Sequence, residues 1–225
     1  MTDTIEYDRI VDLSQEINPD LQVFPGYPRP TFVPWTRREV HGFLSEALFL
    51  VTHTGTHVDA PWHYRPEGKK LNELAVDRFV RPAHVLDLQC SRNRDRITAD
   101  RLERAVRDDG VTIQHEDAIL LRTGWEAKRG TEAFMHEYPG LTKEGAEWLV
   151  REGVGLVGID TASIDLPDSS DFPAHHTLLA ADIPILENLT DLGVLVRARF
   201  TLIALPLPLH GATGSPIRAV ALVKD

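Results

Sequence analysis

The sequence contains a single cysteine, Cys90, among its 225 residues. One thiol cannot form an intrachain disulfide, and it cannot supply a cysteine-based zinc cage. Positive charge is also in short supply, since 24 lysines and arginines stand against 34 aspartates and glutamates and give a formal net charge of −10. We therefore expect no nucleic-acid partner and no anionic-membrane partner, because there is no basic surplus to neutralise phosphates.

Long apolar runs and targeting signals are missing as well. No stretch approaches the ~18–20 uninterrupted apolar residues that a membrane-spanning helix needs. Residues 1–8 are polar and acidic and lack the basic-then-apolar layout of a signal peptide. These features predict a cytoplasmic protein. No G-x-S-x-G motif is present, which argues against a serine hydrolase.

Apolar segments of strand length recur along the chain and predict a sheet. Their β-branched content and their Gly or Pro flanks favour strands over helices. The six predicted strands are Ala47–Val51, Ala83–Leu88, Ala118–Leu121, Val154–Ile159, Phe200–Leu205 and Ile217–Val223.

Two segments have helical spacing instead, each preceded by a threonine that can cap it. Thr98 would cap Ala99–Asp108, and Thr142 would cap Lys143–Glu152, with Gly153 as the stop. Helices interspersed among strands predict a single α/β domain with a mixed sheet over residues 1–225.

The N-terminal region, residues 1–40, includes a proline-rich arm from Phe24 to Pro30. Proline fixes φ and removes backbone donors, so this arm is predicted to be irregular.

Three histidines and one carboxylate lie within eleven residues, in the order His53, His57, Asp59 and His63. Imidazole and carboxylate together suit Zn²⁺, Mn²⁺ or Fe²⁺. On a helix Asp59 would point away from the histidines, and on a strand His53 and His57 would lie about 13 Å apart. The pattern therefore predicts a bent segment, with Gly55 supplying the bend.

Two protein classes compete with a metal-dependent enzyme. A non-catalytic metal-binding scaffold would use a closed, usually four-ligand and often cysteine-rich site. A single cysteine and a histidine left over beside the cluster favour an open catalytic site. A cupin-like barrel also uses histidine and glutamate ligands, but it requires an all-β pattern that the two helices disfavour.

The segment His53–His63 reads HTGTHVDAPWH and resembles the signature HxGTHxDxPxH of the cyclase-like metal-dependent hydrolase family. This family includes bacterial kynurenine formamidases and isatin hydrolases. Every fixed position of the signature is present. Further segments that resemble the family lie before the signature at residues 24–26 and after it at residues 158–165, 205–207 and 214–220, in the family order. The resemblance implies a swivelling β/β/α fold and hydrolysis of a small-molecule amide. An aryl formamide such as N-formylkynurenine is the leading substrate, with an isatin-like lactam, a lactone or an ester as alternatives.

Transferred position by position, the resemblance makes His53, His57 and Asp59 metal ligands and His63 the catalytic base and acid. A bound divalent ion can lower the pKa of its water to roughly 7. A histidine that is not a ligand can take a proton from water and return it to the leaving nitrogen. His63, just outside the ligand cluster, fits that role.

The resemblance also implies a second part of the metal site. Family members carry a histidine followed twelve positions later by a glutamate, and His175 and Glu187 have this spacing. His176 is the alternative, although it is one residue short. The expected cofactor is Zn²⁺ or Mn²⁺, with one or two ions per subunit.

Aromatic residues near the motif are candidates for the wall of the substrate site: Trp62, Phe24 and Trp35. The resemblance also implies a homodimer or homotetramer in which the N-terminal arm reaches a neighbouring subunit. The arm of this chain suits that arrangement, and Trp35 could then complete the neighbour's pocket.

Overall fold

Strands outnumber helices in the computed structural model of the chain, which describes residues 6–224. The strands are β1 (Arg9–Asp12), β2 (Thr31–Thr36), β3 (Ser45–Phe49), β4 (His57–Asp59), β5 (Val80–Asp87), β6 (Arg96–Ile97), β7 (Ala118–Arg122), β8 (Gly140–Leu141), β9 (Leu156–Ile159), β10 (Ile185–Glu187), β11 (Phe200–Ile203), β12 (Gly214–Pro216) and β13 (Val220–Val223). The helices are α1 (Arg38–His41), α2 (Ala99–Asp109), α3 (Glu132–His136), α4 (Lys143–Arg151) and α5 (Pro173–Ala180).

Nine strands form one mixed sheet in the order β1-β13-β11-β5-β7-β9-β10-β4-β12. Strands β5, β7, β9 and β10 run parallel to their neighbours in this block, and the pairs on both sides of it are antiparallel. Parallel strands are apolar at consecutive positions because both of their faces are covered. In β7, Ile119 and Leu121 pack into the core that contains residues of α2, α4 and α5, whereas Leu120 packs into a second core on the opposite face.

This architecture confirms the predicted α/β class with a mixed sheet. A parallel block covered by helices is incompatible with the all-β cupin-like barrel. All six predicted strands overlap observed ones. The prediction at Ala47–Val51 corresponds to β3, which lies outside the main sheet and pairs with β2 instead.

Both predicted helices are present, but only one of the two predicted caps forms. The Thr142 hydroxyl accepts a hydrogen bond from the Gly145 N–H at 3.2 Å and so caps α4. The prediction that Thr98 caps α2 through its side chain is wrong. Thr98 makes no side-chain cap hydrogen bond, and its carbonyl accepts from the N–H groups of Arg101 and Leu102 instead.

The hairpin formed by β2 and β3 is a separate two-stranded sheet whose large apolar side chains are exposed. Trp35 is 74% exposed and Phe49 is 61% exposed. Within residues 6–224, no helix has the length and apolar character needed to cross a bilayer.

Candidate metal centre

The antiparallel pairing of β4 with β10 brings three polar side chains together within an apolar sheet. His57 and Asp59 lie two residues apart on β4, so their side chains share one face of the strand. Glu187 on β10 is the register partner of His57. All three side chains are buried, and Asp59 has no exposed surface. Burial of this much charge requires hydrogen-bond partners or an ion.

The predicted bend before β4 is present and brings His53 back to the strand. Gly55 has φ +64°, a left-handed conformation that glycine adopts without strain. The ring centroids of His53 and His57 are 5.1 Å apart. His53 Nδ1 lies 2.7 Å from Asp59 Oδ1, and its Nε2 lies 2.9 Å from the hydroxyl of Thr213.

The His57 ring is oriented by a backbone carbonyl. Its Nδ1 donates to Gly55 O at 2.8 Å, which directs Nε2 towards the two carboxylates. That nitrogen lies 3.4 Å from Asp59 Oδ1 and 3.5 Å from Glu187 Oε2.

A second histidine approaches the same carboxylates from α5. The Nδ1 of His175 donates to Asp165 Oδ2 at 2.6 Å. The Nε2 of His175 lies 3.4 Å from Asp59 Oδ2 and 3.2 Å from Glu187 Oε1. His175 is buried in the cluster, whereas its neighbour His176 is exposed.

Asp59 therefore has different neighbours at each of its two oxygens. Oδ1 faces His53 and His57, and Oδ2 faces His175. Oδ2 is buried and has no hydrogen-bond partner among the described residues. Burial by itself would raise the pKa of Asp59, but the adjacent His53 and His57 hold it well below its usual value.

The donor set fits a divalent cation. His53, His57 and Asp59 can each offer one atom, all within 4.8 Å of one another, and so can Asp59, His63 and His175. Burial alone would lower the pKa of His57, but the carboxylates of Asp59 and Glu187 raise it to about 9. Imidazole nitrogens and carboxylate oxygens that face each other in a buried cluster are typical ligands of Zn²⁺ and Mn²⁺.

His63 lies at the edge of the cluster, at the end of a short 3₁₀ turn, Pro61–His63. Its ring stacks on His53 with centroids 4.0 Å apart and an interplanar angle of 25°. Burial lowers the pKa of His63 to about 4, so the ring is neutral at neutral pH.

A cleft opens onto the cluster. Besides the histidines and Glu187, its walls include Phe24, Tyr27, Tyr64, Met135 and Phe172. Phe24 and Tyr27 come from the proline-rich arm and contact each other with ring centroids 6.0 Å apart. The cleft is therefore lined by both aromatic and histidine side chains.

Of the three aromatic residues proposed for substrate binding, the structure brings only Phe24 to this cleft. Trp62 lies beneath the amine of Lys70, which is 5.1 Å from its ring centroid. Trp35 lies on the exposed hairpin. Within one chain, neither tryptophan is among the residues that line the cleft.

Two residues that contact the site were not predicted from the sequence. Thr213 was not singled out, although it contacts His53, and Tyr64 was not singled out, although it directly follows the motif. Asp165, the last residue of the family-like segment at residues 158–165, contacts His175. The sequence signal for Thr213 was its place beside the family-like segment at residues 214–220.

A family model and several known proteins match this chain. The model of the Cyclase family, described as "Putative cyclase", matches residues 11–166, which is more than half of the chain. This chain belongs to the Cyclase family. A kynurenine formamidase from Bacillus thuringiensis (strain Al Hakam) is 36% identical over 211 residues, covering 93% of this chain and 95% of the relative.

Two solved family structures have the same fold. Isatin hydrolase A from Labrenzia aggregata, bound to benzyl benzoate, superimposes with a TM-score of 0.89 at 27% identity and covers 96% of this chain and 94% of that chain. An isatin hydrolase bound to the product analogue thioisatinate gives a TM-score of 0.88 at 26% identity and covers 96% and 92%. These findings confirm the predicted cyclase-like family and fold. With the histidine–carboxylate cluster, they support the predicted enzyme class, a metal-dependent amide hydrolase.

Proposed function

We propose that this Cyclase family member hydrolyses an aryl formamide, with N-formylkynurenine as the leading substrate and formate and the free arylamine as products. The observation that carries the proposal is the buried cluster centred on Asp59, which opens onto an aromatic cleft. The formamide is favoured by the kynurenine formamidase relatives, which align with 93% of the chain. A cyclic amide such as isatin is the second candidate, because the similar solved structures include isatin hydrolases.

The proposed cofactor is a pair of divalent ions, Zn²⁺ or Mn²⁺, on the two sides of Asp59. His53, His57 and Asp59 would hold one ion, and His175 and Glu187 would hold the other together with the second oxygen of Asp59. The different neighbours of Oδ1 and Oδ2 support two ions over one. When bound, a divalent ion polarises the scissile carbonyl and lowers the pKa of a water molecule to roughly 7.

The proposed proton carrier is His63. A ring nitrogen of His63 takes a proton from the attacking water and returns it to the leaving nitrogen, which departs as the neutral arylamine. The stacking of His63 on His53 holds it beside the cluster while its low pKa keeps it unprotonated at the start of the reaction. Phe24, Tyr27 and Phe172 give the aryl ring an apolar surface and exclude bulk water.

The deciding experiment is an assay of N-formylkynurenine hydrolysis by protein that is stripped of metal and reloaded with Zn²⁺ or Mn²⁺. We expect kcat/KM of ~10⁴ M⁻¹s⁻¹ or more with the working metal. His63→Ala is expected to lower kcat by about 10²–10⁴-fold with metal content unchanged, whereas Asp59→Asn is expected to lose both activity and metal. His115→Ala, at an exposed histidine before β7, is the matched histidine control.

Each other outcome has a definite meaning. No turnover with metal bound would move the substrate to an isatin-like lactam, a lactone or an ester. Activity that survives the loss of His53 or Asp59 would overturn the metal-dependent mechanism. Bound metal without turnover of any of these substrate classes would favour a non-catalytic metal-binding scaffold. Loss of metal in His63→Ala would make that residue a ligand, as its place in one of the two donor groups allows.

We also propose that the enzyme is a homodimer or homotetramer held together through the β2–β3 hairpin. This hairpin pairs only with itself among the described residues and exposes Phe32, Trp35, Leu48 and Phe49. Apolar side chains clustered on one exposed element are typical of an interface between subunits. In such an assembly Trp35 could reach the cleft of a neighbouring copy.

A further inference from the structure

Tyr64 contacts both functional parts of the proposed machinery. It directly follows His63 and ends the turn Pro61–His63. Its ring stacks on His175 with centroids 4.5 Å apart and an interplanar angle of 28°, and it meets His63 edge-on at 4.6 Å and 81°. One side chain thus touches the proposed proton carrier and a proposed metal ligand.

The Tyr64 ring is held in place from further directions. Phe172 lies 5.4 Å from it, and His176 lies 5.2 Å from it, measured between ring centroids. Phe172 adopts φ +42°, which is rare for a bulky residue and is maintained only where surrounding structure enforces it. A ring with four aromatic neighbours has lost much of its rotamer freedom before any substrate arrives, so its polar tip has a fixed position.

Among residues 6–224, the hydroxyl of Tyr64 has no hydrogen-bond partner. The residue is partly buried and lines the cleft, yet no described side chain or backbone group hydrogen-bonds its hydroxyl. A phenolic hydroxyl can both donate and accept. A fixed, unpaired donor in the wall of a cleft is suited to a polar atom of a bound molecule.

We propose that the Tyr64 hydroxyl is a specificity-determining group that donates a hydrogen bond to a second acceptor on the substrate, a carbonyl on the aryl ring next to the scissile amide. This inference rests on the proposed function. The stacking sets the Tyr64 ring beside the ring of His175, whereas the Nε2 of His175 faces the carboxylates of Asp59 and Glu187. Tyr64 lines the cleft but belongs to neither group of side chains that could hold a metal ion, so its hydroxyl is available to a neighbouring group of the substrate.

The test measures the hydrolysis of two formamides by wild-type protein and by Tyr64→Phe. The two compounds, N-(2-acetylphenyl)formamide and formanilide, differ in the acetyl group that carries this acceptor. The variant keeps the stacked ring and removes only the hydroxyl. We expect kcat/KM for the acetyl compound to fall about tenfold, while kcat/KM for formanilide changes less than about twofold. Tyr7→Phe, at an exposed tyrosine, is the matched control, and an unchanged metal content verifies that His175 is undisturbed.

Equal losses for the two compounds, or no loss for either, would overturn the assignment of Tyr64. If wild-type protein hydrolyses neither these compounds nor N-formylkynurenine, the proposed function fails independently, and binding becomes the readout. Calorimetry with metal-loaded protein would then compare 2-aminoacetophenone with aniline. A preference for the ketone that disappears in Tyr64→Phe supports the assignment, and equal preference in both proteins contradicts it.

Discussion

At the scale of single residues, Asp165 shows how one carboxylate positions a neighbouring ligand. It accepts the Nδ1–H of His175 at 2.6 Å, and it also accepts the backbone N–H groups of Ala174 at 2.7 Å and of His175 at 3.1 Å. These bonds connect the first turn of α5 to the segment between β9 and α5, on which Asp165 lies. Because Nδ1 is engaged with Asp165, Nε2 is the nitrogen that faces Asp59 and Glu187, and it is the one that would bind a metal ion.

The first prediction concerns Asp165→Asn, which keeps the size of the side chain. An amide cannot accept from all three donors, so the His175 ring loses its fixed orientation. We expect the ion on the His175 side to bind about 10–100-fold more weakly, while the ion on the His53 side is retained. Competition with a metallochromic chelator, together with metal stoichiometry, measures both affinities.

Asp168→Asn is the control for that experiment, because Asp168 lies on the same segment but its side chain is 59% exposed and paired with Arg94. Unchanged affinity for both ions in Asp165→Asn would show that the hydrogen bond to His175 does not support metal binding.

The amino-acid sequence was enough to predict which residues form the cluster, but not which distant residues contact them. His53, His57, Asp59 and His63 fall within eleven residues, so a local string suffices to find them. Thr213 lies 160 residues from the histidine that it contacts. Such a pair depends on the pairing of β4 with β12, which no local pattern encodes.

At the scale of secondary structure, the longer strands could be predicted from the sequence, whereas the shortest strands at the site could not. The strands β5, β7 and β9 are mainly apolar, and their composition is enough to predict them. Strands β4 and β10 have three residues each and carry polar side chains at the site. A period of two residues cannot be recognised over three positions, so the strands that position the site were missed.

The second prediction compares two threonines that precede helices. Thr142→Ala removes the acceptor of the Gly145 N–H and should lower the free energy of unfolding by about 1 kcal/mol. Thr98→Ala removes a hydroxyl that makes no cap bond, so we expect a change of less than about 0.5 kcal/mol. Urea titrations followed by circular dichroism measure both changes, and equal losses would contradict the observed difference in capping.

At the scale of the whole molecule, the sheet separates two cores, and the site lies where the parallel block changes to antiparallel strands. Strand β10 pairs parallel with β9 on one side and antiparallel with β4 on the other. His57, Asp59 and Glu187 come from that antiparallel pair, and His175 comes from the helix that precedes β10. The large cores on both faces hold these short strands in register, because a slip of one residue would turn Asp59 away from the cluster.

The last prediction concerns the β2–β3 hairpin, which neither core covers. We expect wild-type protein to elute as a dimer or tetramer, and Trp35→Glu combined with Phe49→Glu to elute as a monomer with an unchanged circular dichroism spectrum. Both side chains are mostly exposed in the single chain, so their loss costs an isolated subunit little, whereas two buried charges at an interface are strongly unfavourable. Light scattering coupled to size-exclusion chromatography measures the mass, and Val194→Glu, at an exposed valine in the turn Leu192–Leu195, is the control.

If the arm and hairpin complete a neighbour's cleft, the monomeric variant should also lose activity while keeping its metal. A wild-type protein that is monodisperse, monomeric and fully active would contradict the assembly and return Trp35 to the role of an exposed surface residue.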